Sequence, residues 1–143
     1  MSTRFDDIVE LFQSVDGTDR LELLLDYSDE LPDLPPDYAV LRDAGLNMVH
    51  ECQSPVFLMV DKRGDRAHLV ADVPRESPTA RGFTSILVQS FDGATADEIA
   101  GAPADALHAL GLDKMLGMQR TRGLRAVYNR MRGEAQRVLS ADG

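Results

Sequence analysis

One thiol, Cys52, stands in the run Val49-His50-Glu51-Cys52-Gln53-Ser54-Pro55, directly before the unbroken apolar stretch Val56-Phe57-Leu58-Met59-Val60. A lone thiol forms no intramolecular disulfide, and a structural zinc site normally takes more soft ligands than one. Two uses remain. One is inert packing, since free cysteine is commonly buried and behaves as a small hydrophobe; the other is covalent chemistry at sulfur. The neighbours favour the second. Glu51 and Gln53 make a polar lead-in to the strand, and Pro55 holds Ser54 extended while removing a backbone donor, as a loop feeding a strand requires. The sequence therefore predicts an accessible thiol.

His50 and Cys52 are two residues apart and share a face of any extended segment. A Cys–His pair would lower the thiol pKa from about 8.5 and raise the thiolate fraction. Glu51 opposes this by placing a like charge beside any thiolate, and a solvated loop position is the stronger reading of His50. His68 and His108 fall on separate elements without a ligand-spaced partner, so no metal site is expected. There is no Ser–His–Asp order and no glycine-rich phosphate loop. Asp6-Asp7 and Asp29-Glu30 read as helix-surface pairs.

The elements that must position Cys52 follow from periodicity. Phe5, Ile8, Val9, Leu11, Phe12 and Val15 recur at helical spacing, with Gly17 as a stop. Thr18 or Asp19 can cap a second helix with Leu21, Leu24, Leu25, Ser28 and Leu31 on one face, ended by Pro32. Residues 33–36 are an irregular connection, and Asp37 to Leu46 is ambiguous between a helical turn and a loop. Val56–Val60 is apolar on both alternating faces, as in a central strand covered on each side. Asp61 to Asp65 reads as a polar turn. Arg66 to Val73 alternates and completes a hairpin, and Met48 to Cys52 offers a short third strand or a loop. After the break at Pro74 to Pro78, Phe83, Ile86, Leu87, Ser90 and Phe91 predict an amphipathic helix. Thr95-Ala-Asp-Glu98 is a capping box opening a short helix. Pro103 opens another, and a last helix runs from about Thr121 to Leu139. The pattern predicts an α+β domain, a small antiparallel sheet of about three strands packed with helices, spanning residues 1–143 as one unit.

The length, with 43% hydrophobic residues, suits one such core. The chain shows no repeat, no low-complexity tract, no apolar signal core at Met1–Asp7 and no segment of transmembrane length. With one cysteine, this predicts a reducing, cytoplasmic setting. The net charge of −9 is unevenly placed: residues 1–43 carry twelve acidic and three basic side chains, whereas residues 114–137 carry seven basic ones against Glu134 alone. The acidic part reads as a solvated surface. The basic part lacks interleaved aromatics on an acidic chain, which argues against nucleic acid and for an acidic protein patch or small anion.

Three blocks, in order, resemble the SufE family of sulfur-acceptor proteins, which take up sulfur as a persulfide for iron–sulfur cluster assembly. They are Leu21–Pro32 (LELLLDYSDELP), Cys52-Gln53-Ser54 with the following strand, and a C-terminal set. That set comprises Arg81-Gly82, Leu110–Leu116 (LGLDKML) and Arg120-Thr-Arg-Gly-Leu124 through Met131-Arg132. The resemblance covers about residues 15–135. Two features depart from the family pattern: Glu51 replaces the glycine that precedes the cysteine, and Val73–Pro78 is longer and richer in proline.

The resemblance implies a SufE-like fold and a covalent carrier. Cys52 would attack the outer sulfur of a donor persulfide and then surrender it to an iron–sulfur scaffold, with His50, Glu51, Gln53 and Ser54 as loop support. It implies no cofactor in this chain; pyridoxal phosphate would belong to a cysteine desulfurase partner, which the carrier would activate. Arg120 and Arg122 would help dock an acidic partner surface. Glu51 keeps open a rhodanese-type thiosulfate sulfurtransferase as donor. A non-catalytic binding module with an incidental cysteine is the remaining alternative.

Overall fold

The computed structural model describes residues 2–140. Two helices lead, α1 (Arg4–Gln13) and α2 (Gly17–Ser28). Thr3 and Asp6 close a capping box on α1: each side chain accepts a bond from the other's backbone N–H, both at 3.0 Å. Asp6 is thus a cap rather than a plain surface charge. Gly17, with φ +49°, opens α2 instead of only stopping α1, and Asp16 holds the N-cap position in place of Thr18 or Asp19. Helix α2 ends at Ser28, ahead of Pro32. The ambiguous stretch forms α3 (Pro36–Asp43), whose first-turn proline needs no N–H partner. It has no buried residue and is tied down by polar bonds, Tyr38 donating to Asp61 at 2.7 Å and Arg42 to Asp72 at 2.7 Å.

The antiparallel sheet is ordered β1 (Met48–Val49), β2 (Val56–Arg63), β3 (Arg66–Asp72). Its register pairs Val49 with Val56 and Arg63 with Arg66. The β2–β3 turn is therefore only Gly64-Asp65, with Gly64 at φ +64°. Asp61, Lys62 and Arg63 continue the strand where the sequence predicted a turn. They are polar because the hairpin tip runs out past the core. Val56, Leu58 and Val60 face the main core with Ala67, Leu69 and Ala71, and Phe57 and Val70 on the other face are buried as well.

Helix α4 (Pro78–Phe91) packs against α1, α2 and β3. Its sequence reads as amphipathic, yet eleven of its 14 residues are buried. The positions off its large apolar face include Gly82, Thr84 and Ser85, small enough to be covered as well. At Gly82 a Cβ would lie 2.2 Å from the Leu24 carbonyl oxygen, so only the missing side chain lets α4 approach the α2 backbone this closely. Beside it Arg81, 5% exposed, donates to the Ser28 carbonyl at 2.8 Å and the Val73 carbonyl at 2.5 Å. The guanidinium thus sits on the negative end of α2 and ties α2, β3 and α4 together.

Three helices follow: α5 (Ala96–Ala100), α6 (Ala106–Leu110) and α7 (Met118–Ser140). Thr95 and Glu98 form the capping box on α5. Helix α6 starts after Asp105, whose carboxylate caps the His108 N–H at 3.2 Å, and not at Pro103. Helix α7 begins three residues before Thr121 and lies across β2, burying Leu124, Val127, Tyr128 and Met131. The fold is α+β. No helix among the described residues is long and apolar enough to cross a membrane.

Candidate functional site

The pairing of Val49 with Val56 closes a loop of residues 50–55 between β1 and β2, and Cys52 lies in its bend. His50, Glu51 and Gln53 are exposed and make no side-chain hydrogen bond among the described residues; Cys52 and Ser54 are half-buried. No bond joins His50 to Cys52. The loop rests on α7. A Cβ built at Gly123 would lie 3.0 Å from the Cys52 Cα, 3.3 Å from its Sγ and 3.4 Å from its Cβ.

Cys52, Gln53 and Ser54 form one wall of a cavity of about 320 Å³. Glu76 and Ser77, together with the first turn of α4 (Pro78, Thr79 and Ala80), form a second. Gln119, Arg120, Gly123 and Leu124 of α7 form the third. The thiol therefore borders a hollow made by three distant chain segments. Ser77 makes no capping bond and Pro78 has no N–H, so the start of α4 presents the positive end of a 14-residue helix to this hollow. Arg120 adds a full positive charge and Glu76 a negative one. Such surroundings suit a small anionic or polarisable group attached to Cys52, and the apolar walls of Leu124 and Pro78 suit sulfur.

Arg120 borders the cavity, whereas Arg122 lies outside it, on a neighbouring hollow shared with Met118 and Gln119. The other arginines of the basic segment are committed. Arg125 pairs with Asp105 at 3.1 Å, Arg137 with Glu134 at 2.6 Å, and Arg130 with Glu134 at 3.6 Å. Arg132 lies over the Tyr128 ring at 5.6 Å. Arg120 and Arg122 have no ion pair or side-chain hydrogen bond among the described residues, and the nearby Met118 is 89% exposed.

The two remaining histidines are used elsewhere. His68 Nδ1 lies 3.0 Å from Asp92, and His108 Nδ1 lies 2.9 Å from Asp113, whose carboxyl is held below the usual range by that hydrogen bond. Among the described residues no cluster of three His, Cys, Asp or Glu side chains could hold a metal ion. A second cavity, of about 450 Å³, lies between β3 and residues 31–38 and contains none of the loop residues.

The family model for SufE, an Fe-S metabolism associated domain, matches residues 6–135. The chain belongs to the SufE family. It is 39% identical to a SufE-like protein of Mycobacterium tuberculosis over 137 residues, covering 95% of this chain and 92% of the relative. It is 30% identical to a SufE-like protein of Rhizobium meliloti, covering 97% and 99% of the two chains. The solution structure of a hypothetical protein from Thermus thermophilus superposes with a TM-score of 0.79 at 28% identity, over 96% of this chain and 97% of that one. A stretch of the chloroplastic quinolinate synthase of Nicotiana tabacum is also 33% identical, over 77% of this chain but only 15% of the synthase. Membership places the chain in Fe–S metabolism.

Ser77, Thr79 and Gln119 escaped the sequence reading, and Gly123 entered it only within the family-like block, with no role of its own. The first three carry no local signature. Gly123 did carry one: an isolated glycine inside a helical pattern often marks a close approach.

Proposed function

We propose that this SufE-family protein is a persulfide carrier, taking sulfur from a cysteine desulfurase onto Cys52 and passing it to an iron–sulfur scaffold. The observation that carries the reading is the position of the chain's one thiol on a β1–β2 loop, bordering a partly polar cavity beside the uncommitted Arg120.

The Cys52 thiolate attacks the outer sulfur of the donor's persulfide. A new S–S bond forms at Cys52, the donor's S–S bond breaks, and its electron pair leaves on the donor thiolate. No net oxidation occurs, and the exchange obeys the rules of thiol–disulfide chemistry. The cavity then has room for the added sulfur, with Arg120 and the start of α4 favouring its negative charge while Glu76 opposes over-binding. Arg120, Arg122 and the exposed Met118 form the docking edge for an acidic donor surface. Pyridoxal chemistry belongs to the donor.

The test supplies two sulfur sources separately: cysteine with a desulfurase, and thiosulfate with a rhodanese-type enzyme. Sulfide release by the desulfurase should rise when this protein is added and stay at its basal rate with Cys52→Ser. Stimulation only from thiosulfate would transfer the role to the other donor class. Stimulation retained by Cys52→Ser would reduce the chain to a binding module.

A further inference from the structure

We propose that Gly123 is a positioning residue for Cys52: the missing side chain in α7 is the seat that holds the thiol at the cavity, and any side chain there displaces the sulfur. This rests on the reading of Cys52 as sulfur acceptor, but its test does not.

Helix α7 contains two glycines, Gly123 and Gly133, and neither has a positive φ, so the backbone demands glycine at neither. Each weakens the helix relative to alanine. Their surroundings differ. A Cβ at Gly133 would meet nothing within 4 Å, whereas the three nearest atoms to a Cβ at Gly123 all belong to Cys52. The tightest is Cα, at 3.0 Å. Because it is a backbone atom, rotating the cysteine side chain cannot relieve the contact, and one of the two segments must move.

The loop is the segment that yields. Leu124 and Val127 fix α7 in the core, while none of the side chains of residues 50–54 is hydrogen-bonded among the described residues. Gly123 therefore sets where the sulfur rests: against α7, bordering the hollow shared with Ser77 and Arg120. A methyl group at 123 pushes the Cys52 backbone off α7 by a few tenths of an ångström and loosens the seat of the thiol.

The experiment compares Gly123→Ala with Gly133→Ala. It measures iodoacetamide alkylation of Cys52 across pH, with hydrogen exchange and thermal melting as checks on the fold. Gly123→Ala should raise the high-pH alkylation plateau at least about fivefold, the scale of overpacking by one methyl. Exchange should quicken in residues 50–55 with 56–60 unchanged. Gly133→Ala should change neither and should melt higher. An unchanged plateau in folded Gly123→Ala, or an equal rise in Gly133→Ala, overturns the proposal. If Gly123→Ala does not fold, the wild-type protein carries the test: NMR should show nuclear Overhauser contacts between the Gly123 α-protons and the Cys52 side chain, as the close approach of the two residues requires. Absence of those contacts would overturn the seat. A rise in alkylation without sulfur uptake from any donor would leave the seat standing and remove the carrier role.

Discussion

Cys52 and Glu51 are adjacent yet meet different surroundings: the thiol rests on Gly123, and the carboxylate stands exposed with no bonded partner among the described residues. Any effect of Glu51 on Cys52 would therefore come through charge and loop stiffness alone. Glu51→Gly removes a like charge beside the thiolate and frees the backbone. Alkylation of Cys52 at neutral pH should rise about two- to fivefold, together with stimulation of a cysteine desulfurase. Equal values in both proteins would make Glu51 a surface charge only. Arg120 and Arg122 are the arginines of α7 left uncommitted, so they are the ones available to a partner. Charge reversal at either should slow donor association about three- to tenfold at low ionic strength, with the difference shrinking as salt rises. A salt-independent effect would indicate local damage instead. The loop position of Cys52 was legible because proline and polar residues mark it locally. The cavity was not, since its walls come from residues near 52, 78 and 120, which no local pattern joins.

At the level of helices and strands, local chemistry was read well and tertiary coverage poorly. The Thr95 capping box and the hairpin are written in neighbouring residues. The all-round burial of α4 depends on what packs behind Gly82, Thr84 and Ser85, and periodicity reports only the large residues. Gly82 makes the point measurable: its missing Cβ lets α4 reach the α2 backbone at Leu24. Gly82→Ala should destabilise the protein by about 1–3 kcal/mol, the usual cost of overpacking, read as a lower urea midpoint with an unchanged slope. A neutral change would mean that α2 and α4 separate at little cost. The β1–β2 loop makes the opposite prediction. Residues 47–54 should exchange amide hydrogens faster than 56–60, because β2 pairs with β1 at Val56 and Phe57 and with β3 from Phe57 onward, while loop residues 50–54 pair with neither strand. Equal protection would count against a loop able to approach a donor.

Across the molecule, one apolar cluster draws on α1, α2, the sheet, α4 and α7, and the charged side chains of the acidic N-terminal third and basic C-terminal segment lie outside that cluster. The α+β class was legible from the order of the periodic segments, and the Thermus thermophilus structure shares the fold. The charge asymmetry was legible as a sum but not in its detail, because which arginines are paired depends on contacts such as Arg125 with Asp105 that only folding creates. Under the proposed carrier role the scaffold holds one sulfur-accepting thiol, and incubation with a desulfurase and cysteine, followed by intact-mass and peptide mapping without reductant, tests that role. A gain of one sulfur atom located on Cys52, and no gain in Cys52→Ser, is the expected result. An unmodified wild-type protein, or sulfur mapped to any other residue, would contradict it.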